Sequence, residues 1–354
     1  MKRHIAILAI CICMLLTGCG SWMDGSYYSV EPHSAGPDRN TPTTVASNYI
    51  QLRDALASLV ENGRAGGIIS ISKFEEETVD SYMEKAIAYV SEENAVGAYA
   101  LDTVTYELGT NAGVQAVAVN ITYSHSRSEI LNIRRVDNME DAVNLLYSNL
   151  ENCTSGVLMR VEGYRNTDFV QLVEDFAKAH PNTVIEVPQV SASLYPERGR
   201  VRVIDISFTY QTSREDLRSM KDKVSPIFTA AELYVRETED QREKCLQLYS
   251  FLMERHENYS IQTSVTPAYS LLMYGIGDSK AFADVYAAMC SSAGLDCHVV
   301  SGTRNGEPWY WNVLRRDGVN YHIDLLACSQ NGAYLEMTED QMGAYVWDYS
   351  AFSE

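Results

Sequence analysis

From residue 49 onward, apolar side chains recur first with a helical period and then with a strand period, and the cycle comes round twice. A one-sided apolar face predicts a helix over 49–62 and another over 139–152. A short β-rich run follows each: Gly67-Ile68-Ile69-Ser70-Ile71, and Gly156-Val157-Leu158-Met159-Arg160-Val161. Second helices are predicted over 77–92 and 168–180. Two closing strands follow in each half, over 96–108 and 114–123, then over 184–195 and 200–210. In 114–123, Val114, Ala116, Ala118 and Asn120 alternate with Gln115, Val117, Val119 and Ile121, as in a strand with two unlike faces. Each half is thus predicted to be an α-β-α-β-β module with a three-stranded sheet.

The wording of the chain supports an internal repeat. Asn120-Ile121-Thr122-Tyr123 returns as Ser207-Phe208-Thr209-Tyr210, an offset of 87. At that same offset Gln51-Leu52-Arg53-Asp54-Ala55-Leu56 pairs with Asn138-Met139-Glu140-Asp141-Ala142-Val143. The predicted organisation is one module over 48–136, a duplicate over 137–222 and a last domain over 223–354. Neither module holds a Cys/His cluster, a glycine-rich phosphate loop or a His-paired nucleophile. Binding or spacing is the role this leaves them.

Helical patterns follow the closing strands of the second module. Ser213-Arg214-Glu215-Asp216 reads as a capped helix start. Cys245, Leu248, Tyr249 and Leu252 share one helical face, as do Phe282, Val285, Tyr286 and Met289, and Gly294 ends the latter helix. Three strands are predicted after it, over 297–302, 309–314 and 319–324.

The front of the chain is different. Lys2 and Arg3 precede an apolar run over 5–16, too short to span a bilayer comfortably. Leu16-Thr17-Gly18-Cys19 then resembles the lipobox of bacterial lipoproteins. That resemblance implies a signal peptide over 1–18, acylation at Cys19 with chains such as palmitate, and a membrane-anchored protein on the extracytoplasmic face. Residues 19–47, rich in Gly, Ser, Pro, Thr and Asn, read as a flexible tether. The net charge of −19 argues against nucleic acid as a partner. Five cysteines remain beyond Cys19, so they cannot all pair with one another; Cys297 and Cys328 are the candidate pair.

The stretch from Ala268 to Leu326 carries the chemistry. It includes Ala268-Tyr269, Gly275, Gly277, Ala293-Gly294, Trp311-Asn312 and Tyr321-His322-Ile323-Asp324. These resemble the bacterial transglutaminase-like superfamily, relatives of the papain-like cysteine proteases. The resemblance implies an α+β domain with an antiparallel sheet against the 280–292 helix. It also implies a Cys-His-Asp triad. Here the nucleophile position falls on Ser279, the base position on Trp309, and only Asp324 matches. An indole accepts no proton at neutral pH, and a serine hydroxyl needs a base in contact. Ser279 reads more simply as a helix N-cap. The expectation is an inactive domain that binds or scaffolds, with no cofactor and no metal. The alternative is a hydrolase or acyltransferase using Ser279, His322 and Asp324. Trp309, Tyr310, Trp311 and Tyr321, joined by Tyr334 and Tyr345, suggest an aromatic cleft for a peptide or a cell-wall glycan.

Overall fold

The computed structural model describes residues 44–348 apart from positions 72, 75, 112, 236–239 and 255–266. The signal, Cys19 and nearly all of the tether lie outside the described residues.

The first unit runs β1 (Thr44–Val45), α1 (Tyr49–Glu61), β2 (Gly66–Ser70), α2 (Glu76–Glu92), α3 (Ala95–Ala100), β3 (Leu101–Asn111) and β4 (Val114–Tyr123). A short helix, α4 (Arg127–Leu131), leads to the second: β5 (Arg134–Val136), α5 (Met139–Glu151), β6 (Gly156–Val161), α6 (Phe169–Ala179), β7 (Gln189–Tyr195) and β8 (Arg202–Thr209). Each unit has a four-stranded sheet, ordered β1-β2-β4-β3 and β5-β6-β8-β7. The three strands predicted for each sheet are joined by a fourth, a parallel edge strand of two or three residues beside β2 or β6, too short to show as a pattern.

The two units match position for position. Thr44 pairs with Ile69 as Arg134 pairs with Met159, and Gly66 faces Asn120 as Gly156 faces Ser207. Asn48 and Asn138 cap α1 and α5 by accepting the N–H of Gln51 and Asp141. Asn62 and Asn152 close those helices by donating side-chain N–H groups to the Ser58 and Ser148 carbonyls. A Cβ on Gly66 or Gly156 would sit 2.3 or 2.2 Å from the carbonyl oxygen of Val119 or Ile206, so both strands need glycine there. The helices therefore correspond at an offset of 90, whereas β4 and β8 correspond at 87.

Two predicted strands are shorter than their patterns. Residues 95–100 form α3, because the Asn94 side chain accepts the Gly97 N–H and the apolar run packs against the second sheet instead of pairing. Residues 184–188 stay irregular, and Pro188, with no N–H, precedes the start of β7. The boundaries shift too. β1 falls in the stretch read as tether, β5 in the stretch read as the first module, and the next helix spans the 222/223 division.

Contacts join the units. Val96, Tyr99 and Ala100 bury against Val203, and Glu61 pairs with Arg160 at 3.2 Å.

The C-terminal region comprises α7 (Arg214–Tyr234), α8 (Gln241–Met253), α9 (Pro267–Tyr274), α10 (Ser279–Ser292), β9 (Cys297–Arg304), β10 (Glu307–Arg316), β11 (Val319–Ile323), α11 (Leu325–Asn331) and β12 (Tyr345–Trp347). Its sheet, β11-β10-β9-β12, is antiparallel. α10 lies on one face. Phe282, Val285, Tyr286 and Met289 are buried there with Leu248, Leu252, Leu314 and Ile323, each side chain contributing about 1.5–3 kcal/mol. This core also takes in Cys153 and Ile185 of the second unit. Cys297 and Cys328 are both free thiols, so the candidate disulfide is absent. The whole is α+β, as the pattern predicted.

Candidate functional site

The site lies where α10 begins beside β10. Asp278, not Ser279, caps the helix: its carboxylate accepts the Ala281 N–H at 2.8 Å. A carboxylate suits that place better than a hydroxyl because it also meets the positive end of the helix dipole. Ser279 is the first helical residue and is buried. Its Oγ accepts the backbone N–H of Tyr310 at 3.3 Å, which seats it one peptide from Trp309.

Strand alternation sorts the rest of β10. Tyr310, Asn312 and Leu314 face α10; Asn312 donates to the Ala283 carbonyl at 2.9 Å. Trp309, Trp311 and Val313 belong to the other face, which Met342, Tyr345 and Trp347 cover. Gly302 lies beneath them. A Cβ there would meet the Val346 oxygen at 2.3 Å and the Trp311 ring at 2.8 Å, so glycine lets β12 and the indole close in.

Asp324 is the hub. It is 1% exposed and caps α11 through Oδ1, which accepts the Ala327 N–H at 2.9 Å. Its Oδ2 accepts the Trp309 indole N–H at 2.8 Å and the Tyr345 hydroxyl at 2.7 Å. Arg304 completes the set at 3.3 Å, its guanidinium lying over the Trp309 and Tyr345 rings. Burial first, and the Asp324 bond second, raise the Tyr345 phenol well above its usual pKa. The indole spends its one N–H on the carboxylate and offers no basic nitrogen.

His322 is not in contact with Ser279. Its Nδ1 accepts the Trp311 indole N–H at 3.0 Å. An indole only donates, so Nδ1 is the bare nitrogen and the proton sits on Nε2. That Nε2 is buried without a partner, and burial holds the ring's pKa below its usual value. The one nitrogen able to accept a proton is already occupied. The Ser279–His322–Asp324 arrangement is therefore not assembled. His298, exposed, pairs with Asp296 at 2.6 Å.

The aromatic residues do not share one cleft. Trp311 is fully buried core. Tyr321 packs on the α10 side with Arg316 over its ring at 4.2 Å, and Tyr334 lies against the same core. Trp309 and Tyr345 flank Arg304, whereas Tyr310 looks toward Lys280. Sequence reasoning missed Arg304. Its signal was the strand period, since it stands two residues past Gly302 on the face that meets Trp309 and Tyr345.

Residues 229–348 match the family model described as the Transglutaminase-like superfamily. The C-terminal part of the chain is accordingly a transglutaminase-like domain. No curated protein matches the chain. Among solved structures, a TGase overlaps 66% of this chain and 66% of its own, with 12% identity and a TM-score of 0.26. A candidate cysteine protease from Cytophaga hutchinsonii overlaps 45% of this chain and 70% of its own, with 9% identity and a TM-score of 0.25. Overlaps of that order carry no argument about function.

Proposed function

We propose that the protein is a lipoprotein, held on the extracytoplasmic face of the cell membrane through Cys19, whose transglutaminase-like domain binds or scaffolds and does not catalyse. One observation carries this reading: the Trp309 indole, with no basic nitrogen, fills the position beside Asp324 and donates to it at 2.8 Å. Among the described residues no imidazole contacts Ser279, so its hydroxyl has no base to activate it. A peptide or a cell-wall glycan is the ligand class we assign, with the two preceding units holding the domain away from the anchor. The competing hydrolase reading needs the His322 ring to leave Trp311 and reach the other face of the sheet.

The test is restoration. Wild-type protein is expected to show no amine-transfer or peptidase activity and no labelling of Ser279 by a fluorophosphonate. The Ser279→Cys, Trp309→His double variant is expected to gain thiol-dependent activity, since each side chain would then have its chemical partner. Labelling of Ser279 in the wild type would overturn the non-catalytic reading.

A further inference from the structure

Between the second unit and the C-terminal domain lies a cavity of about 440 Å³. It is separate from the Asp324 hub and faces the α10 side of the sheet. Val184, Ile185, Pro267 and Ala268 give it an apolar wall. Its polar groups are of both signs. Asp284, one helical turn beyond Lys280, lines it, and Asp284 Oδ1 is buried with no hydrogen-bond donor among the described residues. Lys280 from α10, held over the Tyr310 ring at 5.6 Å, and Lys178 from α6 line it as well.

A buried carboxylate oxygen without a donor loses its hydration and gains nothing in return, so it is a place for a ligand's N–H groups. An ammonium alone would face two lysines; an anion alone would face Asp284. A ligand with both charges and an apolar side chain satisfies every wall. We infer that this cavity binds a small zwitterion, an α-amino acid or dipeptide with an apolar side chain, its ammonium on Asp284 and its carboxylate toward Lys280 and Lys178. The inference stands whether or not Ser279 is catalytically silent, because it uses neither Ser279 nor Asp324.

The electrostatics give the site a pH signature. Burial raises the Asp284 carboxyl to about 6; Lys280 and Lys178 work to lower it and Asp278 to raise it. Glu174 of α6 and the Tyr310 phenol face the same space. Only the ionised carboxylate pairs with an ammonium. Between pH 7 and pH 5 the ionised fraction of such a group falls about tenfold, and affinity should fall with it.

The experiment is titration calorimetry on the full chain with L-leucine and alanyl-alanine, against N-acetyl-leucine and leucinamide as blocked controls. The zwitterions should bind at least about tenfold more tightly than either blocked form. Tighter binding of leucine identifies a free amino acid as the ligand, and tighter binding of the dipeptide identifies a peptide. Asp284→Asn should weaken binding about tenfold and abolish its pH slope; Lys280→Met should weaken leucine but leave leucinamide unchanged. Circular dichroism checks that both variants are folded. Absence of binding by either zwitterion at about 10 mM, equal binding of leucine and leucinamide, or an unaltered pH slope in Asp284→Asn would each overturn the inference.

Discussion

At the scale of single residues, the decisive contrast is between two indoles on one face of β10. Trp309 donates to a carboxylate and Trp311 to an imidazole. The first offers the carboxylate a proton donor and no base, and the second occupies the His322 nitrogen that could accept a proton. Asp324 meanwhile satisfies four donors from four parts of the chain. Asp324→Ala would strand the half-buried Trp309, Tyr345 and Arg304 donors and remove a helix cap. It should cost about 3–5 kcal/mol in urea unfolding, with Asp324→Asn costing markedly less because it keeps an acceptor. Much of this site was legible beforehand. Trp311-Asn312 and Asp324 stood out as motif residues, and the family resemblance pointed to Ser279 and Trp309, which the fold brings to Tyr310 and Asp324. Arg304 and the capping role of Asp278 were not legible, because both depend on which side chains the folded backbone brings within 4 Å. Asp284 was missed for a plainer reason: half of its cavity comes from another unit.

Among the elements, α1 and α5 show how register is set. Paired asparagines fix both ends of each helix, and they place the helices at an offset of 90 while the strands keep 87. A single offset carried along the sequence misaligns the helices by one turn's worth of residues, since the shorter connections between β6 and β8 leave no mark in the hydrophobic pattern. The same limit explains α3, where an asparagine cap outweighed a strand-like composition. In the C-terminal sheet, β10 is tied to the segment after α11 by Arg316 and Glu336, which meet through two bonds of 3.1 and 2.8 Å. Burial works to raise the Glu336 carboxyl, but the bonds from Arg316 and Tyr334 and the charges of Arg316 and Arg242 prevail and hold it below its usual value. Its folded pKa is depressed, so its contribution is present above the unfolded value near 4.5 and is lost as pH falls through the folded one. Glu336→Ala leaves a buried guanidinium unpaired and should cost about 3–5 kcal/mol at neutral pH, less in acid, as read from urea midpoints at the two pH values.

Across the molecule, the second unit and the C-terminal domain share one core. Ile185 and Cys153 are buried among the side chains of α7, α8 and α10. An Ile185→Asp substitution puts a charge into that shared core and should destabilise both parts together by at least about 3 kcal/mol, within a single transition followed by circular dichroism. Two separate transitions would show that the units are energetically independent. The sequence suggested three successive domains, and its hydrophobic periods give no sign of this sharing. Periodicity tells which face of an element is apolar, not which neighbour covers it.

Three of the chain's four tryptophans, Trp309, Trp311 and Trp347, crowd around the C-terminal sheet within one cluster. Intrinsic emission from the protein is therefore dominated by a single locality. The signal would shift when Asp324, Arg304 or Tyr345 is disturbed, and would stay nearly blind to events in the first unit. The molecule carries its own optical reporter beside the Asp324 carboxylate.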